Sequence, residues 1–244
     1  MDEHAAELKM QDKTLLDDLN DIYSNYGYCH NYLTEIRLLG AKGMEQISLI
    51  MDHLRDTKIE SFENFRVKER LDRRQGDPQP HLSKTDTSAR NMLIYYIDDL
   101  PQTAGIKITV RPSGTEPKIK MYFEVIGKPC NLANLADEKT KIVGIRQALE
   151  KTFMQYCYRL LEVDFPDRGF LLFWQLPLDD KLKYFEIEDK IVNLKNISDV
   201  PTRKNELDEL LSFLGANPVE KVEKAFRDKY DAGILEYLEL SGID

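Results

Sequence analysis

From Ile106 to Val125 the chain alternates apolar and polar residues in two runs. Ile106, Ile108 and Val110 stand against Lys107 and Thr109, and Ile119, Met121, Phe123 and Val125 against Lys120, Tyr122 and Glu124. A period of two cannot form a helix face; it places one side of each segment on a core as a half-buried strand. Phe65 to Leu71 alternates in the same way, and Met92 to Ile97 is a short, mostly apolar run between turn residues. Four strands with short connections favour an antiparallel sheet.

The rest reads as helix and loop. Leu15, Leu16, Leu19, Ile22, Tyr23 and Tyr26 recur at helical spacing over 14–26, with Thr14 as N-cap and Gly27 as stop. Residues 5–10 read as the end of an earlier helix. Tyr28 to Leu39 is expected to be a connector, with a helix following over roughly 41–55. Residues 72–90, rich in Pro, Gly, Asp and Ser, predict a long loop. Ile142, Ile145, Leu149, Phe153, Tyr156 and Leu160 predict a long helix over about 133–162, ended by Asp164-Phe165-Pro166. Beyond it no alternation remains, and helices are expected near 179–196, 202–214 and 218–230. The expected fold class is α+β: a four-stranded, mainly antiparallel sheet packed against helices, followed by an α-helical C-terminal extension. The expected organisation is 1–39, 40–164 and 165–244.

Charge and composition exclude several classes. With a net charge of -9 over 244 residues, a general nucleic-acid binder is not expected, because phosphate neutralisation needs a basic surface. Cys29, Cys130 and Cys157 are odd in number and widely spaced, which suits inert buried thiols rather than a disulfide framework or a zinc site. His4, His30, His53 and His81 show no metal-ligand spacing, so no metal ligand is assigned. The acidic start Met-Asp-Glu-His does not resemble a signal peptide. The longest apolar stretch, Phe170 to Trp174, falls far short of a membrane span, so a cytoplasmic protein without a membrane partner is expected.

Between the last two strands lies Arg111-Pro112-Ser113-Gly114-Thr115-Glu116-Pro117-Lys118. Arg111 offers a planar fork of donors that matches a phosphate. Ser113 and Thr115 add hydroxyls, Gly114 allows backbone N–H groups to converge on an anion, and Lys118 adds a point charge. Pro112 and Pro117 stiffen the shoulders, so little entropy is lost when a ligand is held. Glu116 would repel an anion unless it points away or pairs with a neighbouring cation. The plainer reading is a rigid turn with incidental polar residues.

The run Thr109 to Lys118 resembles the phosphate-binding loop of the α-D-phosphohexomutases, and Ile119-Lys120-Met121-Tyr122-Phe123 resembles the strand that leaves it, particularly in the phosphoglucomutase and phosphopentomutase branch. Thr14 to Tyr23, with Tyr26-Gly27, is similar to the helix that ends the third domain of these enzymes; the resemblance covers roughly 5–160. It implies a C-terminal portion: the end of domain 3, then domain 4. The loop would bind the non-reacting phosphate of a hexose phosphate, glucose 1-phosphate or 6-phosphate foremost, through Arg111, Ser113, Gly114 and Thr115, with Lys118 as an added charge. The whole enzyme moves a phosphoryl group between the 1- and 6-positions of the sugar, with Mg2+ and glucose 1,6-bisphosphate as cofactors. The family's Ser-His-Asn-Pro, Asp-Gly-Asp and Gly-Glu-x-Ser runs do not occur in this sequence. No catalytic residue and no cofactor are therefore assigned to this chain, domains 1–3 become its expected partner, and the chain alone is expected to be inactive. Gly27 to Leu39 would be the natural hinge. Two further readings stay open: a stand-alone phosphosugar-binding module, and a helical interaction or assembly domain.

Overall fold

A computed structural model describes residues 2–74 and 90–242. The loop expected over 72–90 lies mostly outside the described residues, as does His81. In chain order the elements are α1 (Asp2–Met10), α2 (Leu15–Tyr26), β1 (Cys29–Arg37), α3 (Gly40–Asp56), β2 (Ser61–Phe62), β3 (Phe65–Asp72), β4 (Leu93–Ile97), β5 (Thr103–Pro112), β6 (Lys118–Gly127), α4 (Leu135–Leu160), α5 (Leu178–Asn193), α6 (Val200–Leu211), α7 (Pro218–Tyr230) and α8 (Ile234–Tyr237). The chain divides into two compact units. The first holds 1–34, 51–114 and 120–156; the second holds 35–50, 115–119 and 157–244.

The class is α+β, as expected, but the sheet has six strands rather than four, in the order β1-β6-β5-β4-β3-β2. The two strands missed are β2, only two residues long, and β1, which occupies the expected connector. The Cys29 to Thr34 stretch hides its period because its inward positions carry His30 and Tyr32 instead of aliphatic residues. β3 pairs antiparallel with β4, with an irregularity between Val67 and Glu69, and β4 pairs antiparallel with β5 in the register Tyr95 opposite Ile108.

In the first unit the alternating residues meet as the period demands. Ile106, Ile108 and Val110 of β5 and Met121, Phe123 and Val125 of β6 are buried, with Leu93, Tyr95 and Ile97 of β4 beside them. Ile142, Leu149 and Phe153 of α4 are buried as well. An aromatic cluster holds this core: the Phe62 ring sits 5.2 Å from Tyr95 and 4.8 Å from Phe153, both edge-on. Arg55, at the end of α3, donates from Nε to Asp72 of β3 at 2.9 Å, so the buried charges are paired rather than orphaned.

α2 begins as its sequence predicts. Thr14 caps it, accepting the Asp17 N–H while the Asp17 side chain accepts the Thr14 N–H, a reciprocal capping box. Leu15, Leu16, Leu19, Ile22 and Tyr26 of its apolar stripe are all exposed. Gly27 ends the helix at φ +92°, its N–H bonded to the Tyr23 carbonyl.

The cysteines correct one expectation. Cys157 is fully buried, and its thiol is pushed far up by desolvation, but Cys29 is exposed and Cys130 half-buried.

The C-terminal helices of the second unit build a core of their own. Tyr184, Ile187 and Ile191 of α5 meet Leu207 and Leu211 of α6, Val222 and Phe226 of α7, and Ile234 of α8. Asp199 caps α6 by accepting the Thr202 N–H, and Pro218 opens α7. The buried Glu188 carboxylate accepts hydrogen bonds from Arg168 and, at 2.7 Å, from Lys229, and Arg168 also donates to the Ala225 carbonyl. Desolvation pushes the Glu188 carboxyl up, but the bonds from Arg168 and Lys229 outweigh it and hold it below the ordinary glutamate value. A carboxylate with a depressed folded-state pKa stabilises above its unfolded value, and that contribution is lost as pH falls through the folded value. Acid unfolding followed by circular dichroism should therefore be less steep in Glu188→Gln than in the wild type. Superimposable pH profiles would show that the carboxylate contributes nothing.

Candidate anion-binding loop

The loop joining β5 to β6 is held at its shoulders. Val110 and Ile119 on either side are fully buried, so both strands enter the turn from fixed positions. Between them the exposed residues are Gly114, Thr115 and Glu116, and Ser113, Pro117 and Lys118 are half-buried. Pro117 fixes the exit: its carbonyl accepts the Leu38 N–H at 2.9 Å, just past the end of β1. A Cβ added at Gly43 would lie 2.9 Å from the Leu38 Cβ and 3.2 Å from the Pro117 Cβ, so the start of α3 packs closely against the same shoulder.

The five residues that the sequence singled out fall in different surroundings. Arg111, Ser113 and Gly114 belong to the first unit, Thr115 and Lys118 to the second. Arg111 lies at the end of β5, half-buried, and its Nε is enclosed without a hydrogen-bond partner among the described residues. An enclosed charged donor without a partner costs on the order of 1–3 kcal/mol, and a bound anion would remove that cost. Ser113 and Thr115 flank the exposed Gly114, with their hydroxyls on the turn itself.

Lys118 opens β6, and its side chain is only 12% exposed. Its Nζ pairs with the Glu116 carboxylate and stands 3.8 Å from Oε2 of Glu35. Glu116 thus resolves as the partner of a neighbouring cation, one of its two expected roles. Glu35 is 3% exposed, and its other oxygen accepts the Nε–H of Arg37. Sequence reasoning missed Glu35 and Arg37. Both lie in the stretch read as a connector, and a buried carboxylate carries no local pattern of its own.

Among the described residues no three His, Cys, Asp or Glu side chains gather as a metal site. No helix among them is long and apolar enough to cross a membrane.

No family model matches the sequence. Curated proteins do. The phosphoglucomutase of Staphylococcus aureus strain N315 is 36% identical over 122 residues, covering 50% of this chain and 22% of that protein. The phosphoglucomutase of strain USA300 is 35% identical over 122 residues, and that of strain MRSA252 is 33% identical over 126, with the same coverage. The chain matches about a fifth of the length of these relatives. Half of it is phosphoglucomutase-like, which supports a relationship to the phosphohexomutases, a family of isomerases that transfer a phosphoryl group.

Proposed function

We propose that the chain is the substrate-phosphate-binding portion of a phosphoglucomutase-like phosphohexomutase, the end of domain 3 with domain 4 and a helical extension. Arg111, Ser113, Gly114, Thr115 and Lys118 hold the phosphate of the hexose phosphate that is not reacting. The observation that carries this reading is Arg111, a planar cation with an enclosed, unpartnered Nε at the foot of an exposed turn bearing two hydroxyls. The likeness of half the chain to phosphoglucomutases supports it.

The chemistry asked of these residues is modest. Arg111 binds two phosphate oxygens through its fork, and the Ser113 and Thr115 hydroxyls donate to others. Gripping the remote phosphate positions the reacting end of the sugar, so binding energy here lowers the barrier elsewhere. In this reading magnesium acts in the other domains of the parent enzyme. Bond making belongs to domains 1–3 of the parent enzyme, the partner of this chain, and glucose 1,6-bisphosphate is the ligand shared between them.

The test is a titration of the isotope-labelled chain with glucose 1,6-bisphosphate by NMR, with a coupled mutase assay on the same sample. Saturable shifts centred on Ser113, Gly114 and Thr115, without turnover, are expected. Turnover that survives purification would refute the assignment of bond making to other domains. Unperturbed loop resonances at millimolar ligand would refute the phosphate site.

A further inference from the structure

Within the second unit, one buried carboxylate organises two cations beside the loop. Glu35 lies near the end of β1 and is 3% exposed. One of its oxygens accepts the Nε–H of Arg37, and the other faces Lys118 Nζ at 3.8 Å. Its single negative charge balances only one of the two cations. Glu116 supplies the second, from a side chain that is 54% exposed. The cluster is therefore neutral only while the half-exposed Glu116 carboxylate stays on Lys118. A phosphate carries the charge that Glu116 lends, and it offers more acceptor oxygens.

Arg37 has donors to offer such an anion. Its side chain is one-third exposed, and only Nε is engaged; its four terminal N–H donors meet no partner among the described residues. Binding at Nε by an enclosed carboxylate removes most of the rotamer freedom that an arginine ordinarily loses on meeting a ligand. Glu35 itself is too buried to touch a ligand.

We infer that Arg37 is a further anion-contacting residue of this loop, with Glu35 as its positioning residue, and that the phosphate displaces Glu116 from Lys118 when it binds. The inference rests on the phosphate reading of the loop and deepens it. A purely structural tie between β1 and β6 would leave the terminal nitrogens of Arg37 indifferent to phosphate.

The experiment follows the Arg37 guanidinium resonances of the full chain during titration with inorganic phosphate and with glucose 1,6-bisphosphate. They should shift and exchange more slowly with solvent, saturating together with the Ser113 and Thr115 amides. Arg37→Ala should bind about tenfold more weakly, the scale of one lost charge-assisted hydrogen bond. Arg37→Lys should recover part of that loss, Glu35→Gln should weaken binding with the Arg37 charge intact, and Glu116→Gln should bind more tightly. If Glu35→Gln fails to fold, the one-third-exposed Arg37 and its two variants still decide the matter. Wild-type affinity in Arg37→Ala, in a chain that loses binding on Arg111→Ala, would overturn the inference and leave the phosphate reading standing. No binding by the wild type would bring down both.

Discussion

Replacing Arg111 by alanine is expected to weaken binding of glucose 1,6-bisphosphate by roughly 10- to 100-fold, the range that removal of a charge-assisted, bidentate donor commonly gives. The same substitution should leave thermal stability unchanged or slightly higher. The reason lies in the ligand-free state: Nε of Arg111 is enclosed with no hydrogen-bond partner among the described residues. Truncation removes an unpaired buried donor, a change that relieves a cost rather than creating one. Arg111→Lys should fall between wild type and alanine, because it keeps the charge and loses the planar fork. Isothermal titration calorimetry with parallel thermal melts measures both effects. Unchanged affinity in Arg111→Ala would remove the residue from the site, and a large drop in melting temperature would make its role structural.

The largest expected loss of stability comes from a residue that contacts no ligand. Gly27 stands at φ +92°, and a Cβ there would fall onto the carbonyl oxygen of Gly127, 2.9 Å from the carbonyl carbon. The obstacle is backbone, so no side chain can rotate out of the way. Both neighbours are fixed: the Gly27 N–H bonds to Tyr23 O, and the Gly127 N–H bonds to Tyr28 O at 2.8 Å. Gly27→Ala should cost about 3 kcal/mol or more, combining left-handed strain with a forced shift of two main-chain segments. Gly40 is the control. It too has positive φ, at +63°, but a Cβ there meets nothing within 4 Å, so Gly40→Ala should cost only about 1 kcal/mol. Urea unfolding of both variants separates strain from collision; equal losses would show that the approach to Gly127 is not what matters.

What the sequence revealed and what it concealed have physical causes. The β5–β6 pair was legible because a period of two persists through Ile106 to Val125, interrupted only by the proline-flanked turn. α2 was legible from its caps, since Thr14 and Asp17 act over three residues. β1 escaped because His30 and Tyr32 occupy positions where an aliphatic pattern was sought, and β2 because two residues make no period. Of the candidate site, the turn itself could be read. Glu35 and Arg37 could not, since they reach the loop across a strand pairing that no local window spans. The C-terminal helices announced themselves by their leucines, but the tie from Arg168 to Glu188 joins residues whose partnership only the fold creates.

The strand order also ranks the steps by which this sheet can assemble. β4 with β5, and β5 with β6, are joined by short turns, and such hairpins form early because little chain entropy is spent in closing them. β1 precedes all of them, yet lies beside β6, so the contact of Tyr28 with Gly127 must close a loop containing every other strand. That closure is the slow, non-local event in a chain otherwise rich in neighbouring contacts. The strand that carries Glu35 and Arg37 is thus expected to pair after the hairpins, and pulse-labelled hydrogen exchange should protect the β5 and β6 amides before those of β1.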